Sequence, residues 1–81
     1  MTEKDVIRLS DAIKLQRFKE KKSQEDCSKI LEISIPTYRE YENNPNKLNL
    51  EQAIILGNYL NWNMLEFFLQ DILHNAISEK E

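Results

Sequence analysis

One glycine and two prolines serve the whole of an 81-residue chain. A sheet of this size needs several tight reversals, and hairpin turns draw heavily on glycine at positions of positive φ. Gly57, Pro36 and Pro45 leave little room for them, so the chain is expected to be all-α, with helices joined by short turns. A chain this short forms one domain, residues 1–81, and buries only about 60% of the surface it exposes when unfolded, so its core gains from a partner. Apolar residues make up 41% and charged residues 31%, the balance of a globular domain rather than of a disordered one.

Several chemistries are unexpected in such a chain. Cys27 has no second cysteine to pair with, and Cys27 and His74 together fall short of the three or four ligands of a zinc site. Nothing orients that thiol and imidazole as nucleophile and base, so no enzyme activity, metal, cofactor or small-molecule ligand is expected. The most apolar stretch, residues 64–73, carries Glu66 and Asp71, and no basic-then-apolar leader opens the sequence. The expectation is a cytoplasmic protein without a membrane segment. The net charge of -3 argues against a general polyanion binder, yet it is unevenly spread. Lys14, Arg17, Lys19, Lys21 and Lys22 outweigh Glu20 in residues 14–22. Glu25, Asp26, Glu32, Glu40 and Glu42 outweigh Lys29 and Arg39 in residues 23–44.

Helix starts punctuate the chain. Thr2 with Asp5, Ser23 with Asp26, Asn49 with Gln52 and Asn63 with Glu66 each set a capping side chain three residues ahead of one that can return a hydrogen bond. Ser34 opens a further helix, whose first turn tolerates Pro36 because the early N–H groups have no intrahelical partner. The pattern predicts five helices, with residues 3–22 holding one helix or two. Ala12, Leu15 and Phe18 mark the first inner face, Cys27, Ile30 and Leu31 the second, and Tyr38 and Tyr41 the third. Asn43, Asn44 and Pro45 end the third helix, and residues 44–47 read as an exposed loop. Leu50, Ala53, Ile54, Gly57 and Leu60 line the fourth. A glycine inside a helix costs about 1 kcal/mol against alanine, so Gly57 implies a close helix approach.

Residues 23–43, SQEDCSKILEISIPTYREYEN, carry a spacing of their own. Ser23, Gln24, Leu31, Ile33, Ser34, Thr37, Tyr41, Glu42 and Asn43 resemble, without a gap, the motif of the helix-turn-helix regulators of the lambda repressor and Cro type. The likeness runs on to residue 68 and implies a compact five-helix lambda-repressor-like DNA-binding domain. Cys27 stands where that family has Leu or Val, and Ser28 where it has Ala. Glu32 replaces the glycine of the turn, where a left-handed non-glycine residue costs about 1–2 kcal/mol. Lys21 and Lys22 replace a glycine and an apolar residue, which leaves two registers for helix 1. In one, Arg17 pairs with Glu42 and Gln16 turns inward; in the other, slid by two residues, Leu15 and Phe18 enter the core and Lys19 meets Glu42. The second avoids burying an unpartnered glutamine and is the register expected.

The resemblance implies a sequence-specific transcriptional regulator, a repressor or Cro-like switch, whose second motif helix lies in the major groove of double-stranded DNA. Ser34, Ile35, Pro36, Thr37 and Glu40 would then face the bases, Ile35 toward a thymine methyl and Glu40 toward cytosine N4. Lys19, Lys21, Lys22, Gln24, Arg39, Asn43 and Lys47 would meet phosphates. The plainer reading makes Glu40 a solvated carboxylate and the lysines an ordinary wet helix face. Leu65, Phe68, Leu69, Ile72, Leu73, Ala76 and Ile77 form an apolar stripe in the fifth-helix extension, residues 64–78, and imply a homodimer; the alternative is that residues 69–77 fold back on helix 1. A reading of a different class keeps the helix-turn-helix frame as a protein-binding adaptor or antirepressor, docking another regulatory protein through its acidic half with Tyr59 and Trp62.

Overall fold

Four capping side chains set the architecture. The computed structural model describes residues 2–64, and within them the chain is all-helical, with no strand. Helix α1 spans Glu3–Lys19, α2 Gln24–Ile30, α3 Ile35–Asn43 and α4 Leu50–Tyr59, with a 3-10 turn over Pro45–Lys47 between the last two. Thr2, Ser23 and Asn49 each accept from the N–H three residues on, and Asp5, Asp26 and Gln52 each return a bond to the capping backbone. Ser34 caps α3 through the Thr37 N–H, and Pro36 sits harmlessly in the first turn. A seven-residue helix such as α2 has no independent stability in water, so its existence rests on packing.

That packing buries Leu9 and Ile13 from α1, Cys27 and Leu31 around α2, Tyr38 from α3, Leu48, and Ala53, Leu56, Leu60 and Met64 from α4 and beyond. Helix α2 lies against both α3 and α4, while α1 lies against α3 and the 3-10 turn. Among the described residues no helix is long and apolar enough to cross a membrane. The expected fifth helix, and with it the stripe from Leu65 to Ile77, lies outside the described residues.

The register of α1 is the opposite of the one expected. Phe18 is 80% exposed and Leu15 57%, while Leu9, Ser10 and Ile13 are buried and Gln16 and Arg17 turn inward. The reason is polar. Gln16 is not left without a partner: its Nε2 donates to the Leu60 carbonyl at 2.7 Å, one of the last-turn acceptors that α4 cannot satisfy itself. Ile30, Leu50 and Ile54 are likewise exposed rather than inward, with Leu56 taking the core position on α4. Residues 44–47 are no free loop, since Pro45 is buried and opens the 3-10 turn.

Three helices end in the same way, without a glycine. After α1, Lys22 N–H donates to Arg17 O and Lys21 N–H to Phe18 O; after α2, Ile33 reaches Ser28 and Glu32 reaches Lys29; after α4, Trp62 reaches Gly57 and Asn61 reaches Asn58. These are Schellman closures, and they put Lys21, Glu32 and Asn61 at φ of 56, 57 and 54°. Gly57 is needed for a related reason: a Cβ there would stand 2.6 Å from the Trp62 carbonyl oxygen. The close approach is by the turn that follows α4 rather than by another helix.

Lys21→Gly and Glu32→Gly are each expected to raise the unfolding free energy by about 1 kcal/mol in urea titrations, because glycine relieves the left-handed strain. Gly57→Ala is expected to lower it despite alanine's higher helix propensity. The caps also set an acid limit. Hydrogen bonds from Thr2 hold the Asp5 carboxyl, and from Ser23 the Asp26 carboxyl, below the ordinary value of 3.8. A depressed folded pKa contributes stability above the unfolded value and loses it as pH falls through the folded one. Stability is therefore expected to fall below about pH 4, and Asp26→Asn to flatten that fall in thermal melts taken across the acid range.

Candidate nucleic-acid interface

A buried carboxylate is expensive unless every lone pair is met, and Glu42, 2% exposed, shows how the chain meets them. It sits on the inner side of α3, one turn after Tyr38. From α1 comes Arg17, whose Nε donates to Oε2 at 3.0 Å and whose Nη2 donates to Oε1 at 3.1 Å, a two-pronged contact that an ammonium does not offer. This is the physical reason that Arg17, and not Lys19, is the partner of Glu42. The third guanidinium nitrogen donates to the Lys22 carbonyl at 3.1 Å, which ties the end of α1 to the same point. Burial works against the arginine charge, but the bonds and charge of Glu42 leave its pKa above the ordinary value.

Two more strands of the network leave Glu42. Ser10 Oγ donates to its backbone carbonyl at 2.7 Å, and Gln24 Nε2 lies 3.4 Å from Oε1. Gln24 in turn accepts from Arg39 Nε at 3.0 Å. One chain of contacts thus runs from α1 through the core to the first residue of α2 and out to the surface of α3. Tyr38 hydroxyl is buried beside Glu42 and Cys27 without a hydrogen bond of sound geometry to either. Burial, then the adjoining Glu42, pushes its phenol pKa up, and burial pushes the Cys27 thiol up as well, so both groups are held toward their protonated forms.

The outer side of α3 carries what remains. Ser34, Pro36, Arg39, Glu40 and Asn43 are exposed, Ile35 and Thr37 are half-buried, and Tyr38 and Glu42 point into the core. Of the residues expected to read bases, Ser34, Pro36 and Glu40 are thus accessible, and Ile35 and Thr37 only in part. Ser34 Oγ is also bonded to Thr37 Oγ1 at 2.8 Å, so both hydroxyls serve the helix start. Of the residues expected to meet phosphates, Gln24, Arg39 and Asn43 lie on or against α3, and Lys47 returns from the 3-10 turn to pair with Glu40. Lys19 and Lys21 are exposed at the end of α1, where Lys21 is also a turn residue. Lys22 is drawn elsewhere, its Nζ 4.7 Å from the centroid of the Tyr59 ring.

Sequence reasoning missed the Lys47–Glu40 pair and the Gln24–Arg39 bond. Neither has a periodic signal, since the first crosses Pro45 and the second joins two helices. No family model matches the sequence, and no curated protein or solved structure matches it.

The network gives an asymmetric mutational response. Ser10→Ala, which removes the bond to the Glu42 carbonyl, is expected to cost about 1 kcal/mol in urea unfolding. Tyr38→Phe, which deletes a hydroxyl with no partner, is expected to leave stability unchanged or to raise it by up to about 1 kcal/mol.

Proposed function

We propose that this protein is a sequence-specific DNA-binding transcriptional regulator of the lambda repressor and Cro kind, with α2 and α3 as its helix-turn-helix and α3 in the major groove. The observation that carries the reading is the orientation of α3. Tyr38 and Glu42 anchor one side of it in the core, and Ser34, Pro36, Arg39, Glu40 and Asn43 stand along the other, flanked by Gln24 and Lys47. That is the form in which a short helix offers side chains to base edges while its neighbours meet phosphates. The resemblance of residues 23–43 to the family motif supports the same reading, and Glu32 at φ 57° supplies the left-handed turn that glycine supplies there. In this reading two copies engage half-sites about one helical turn apart, roughly 34 Å, with Leu65 to Ile77 joining them outside the described residues.

A second reading has its own observation. The cations beside α3 are engaged by Gln24 and Glu40, and the chain is net -3, which suits docking on a basic protein. The aromatic residues that such a surface would use, Tyr59 and Trp62, are half-buried against the core, which weakens it.

A fluorescence titration of a labelled random-sequence duplex separates the two. A DNA binder that neutralises about three to five phosphates per protomer loses affinity with a log-log salt slope of about -3 to -4.5. Absence of any affinity at low salt, or affinity indifferent to salt, would overturn the proposal.

A further inference from the structure

Both cations on the outer side of α3 are held by the protein itself, but by different means. Arg39 is bonded to Gln24, an uncharged group that the buried Arg17–Glu42 pair fixes in place. Lys47 is paired with Glu40, the one exposed carboxylate on α3. Glu40 is well placed for this, because its own carbonyl accepts from the Asn44 N–H at 2.8 Å, so the helix end from which the 3-10 turn departs is fixed beneath it. Both side chains are about half exposed, and an ion pair in that position is weak enough to open at a modest cost that a better pair of partners offsets.

We propose that Glu40 is the specificity-determining residue of this interface. It keeps Lys47 from the phosphates of an unmatched duplex and exchanges that ammonium for a base amino group, cytosine N4 above all, on a matched one. The inference rests on the DNA-binding reading above. A carboxylate only accepts hydrogen bonds. In the major groove it meets only acceptors on guanine and the O4 acceptor on thymine, an amino donor beside the N7 acceptor on adenine, and the N4 amino donor alone on cytosine. Opposite cytosine, Glu40 can release Lys47 to a phosphate and stay bonded, so both groups are satisfied. Opposite an acceptor edge there are two poor choices: Lys47 stays on Glu40 and a phosphate contact is forfeited, or it leaves and a carboxylate faces the base without a donor. The interface thereby discriminates by repulsion as well as by attraction. It also gives the acidic reading helix a use.

The test compares wild type, Glu40→Gln and Glu51→Gln, the last removing an exposed carboxylate from α4 as a control for net charge. Each is titrated with a labelled random-sequence duplex over a salt series, and wild type and Glu40→Gln are then used to select bound duplexes from a random pool. Circular dichroism melts check that all three fold alike. For Glu40→Gln the affinity for random duplex is expected to rise about five- to tenfold at low salt, with a slope steeper by about 1, because one more phosphate contact is free to form. Glu51→Gln is expected to follow wild type. Wild type is expected to enrich cytosine about tenfold at one position of its site, and Glu40→Gln to lose that preference or shift it to adenine, the base that glutamine reads. If wild type binds no duplex, the DNA-binding reading itself fails. If wild type binds but Glu40→Gln matches Glu51→Gln in affinity and slope, or keeps the cytosine preference, the role given to Glu40 is overturned.

Discussion

Much of this small protein depends on one ion pair whose carboxylate is almost out of reach of water. Glu42 faces the core from α3, and three donors from two other helices close around its carboxylate: two from Arg17 on α1 and one from Gln24 at the start of α2. A buried pair of this kind is weak evidence for net stability, because desolvation offsets much of the attraction. What it fixes is arrangement. The two-pronged geometry admits one rotation of α1 about its axis, and that rotation brings Leu9 and Ile13 into the core and leaves Leu15 and Phe18 outside. The same carboxylate fixes which side of α3 is hidden, and so which side is left exposed.

From this follows the division of labour along α3. Inner residues hold the helix in the frame, and outer residues are free to be chosen for what they touch. Charge is distributed in keeping with this: the half-buried Arg17 is matched by the buried Glu42, and the exposed Arg39 and Lys47 are lightly held. A net charge of -3 is then no obstacle to the DNA binding we propose, because the sum over the molecule says little about the few side chains on the outer side of α3. In the proposed reading, the acidic outer side of α3 lowers affinity for any duplex, and in exchange lets a single base amino group matter.

The local grammar was legible in the residues. Thr2, Ser23, Ser34 and Asn49 announced four helix starts, and each cap forms; the end of α3 at Asn43 and Asn44 was equally plain. Cap signals read well because they involve partners three residues apart. What was not legible depends on partners far along the chain. Leu15 and Phe18 look like a core stripe at their spacing, and it takes the carbonyl of Leu60 and the carboxylate of Glu42 to explain why Gln16 and Arg17 take the inner side instead. Arg17 and Glu42 are 25 residues apart, and nothing local distinguishes Arg17 from Lys19 as the partner; the choice turns on the fork of the guanidinium. Outer residues such as Glu40 and Lys47 carry no packing constraint, so their pairing leaves no trace in periodicity.

Arg17 and Glu42 act as one unit that sets α1 against α3, and a double-mutant cycle measures this directly. Urea unfolding of wild type, Arg17→Met, Glu42→Leu and the double variant gives the coupling between them. With the two acting as a unit, each single variant is strongly destabilised by the charge left behind, and the double variant recovers a coupling of about 2 kcal/mol or more. Additive losses, with a coupling below about 0.5 kcal/mol, would mean that the two side chains are neighbours without being partners.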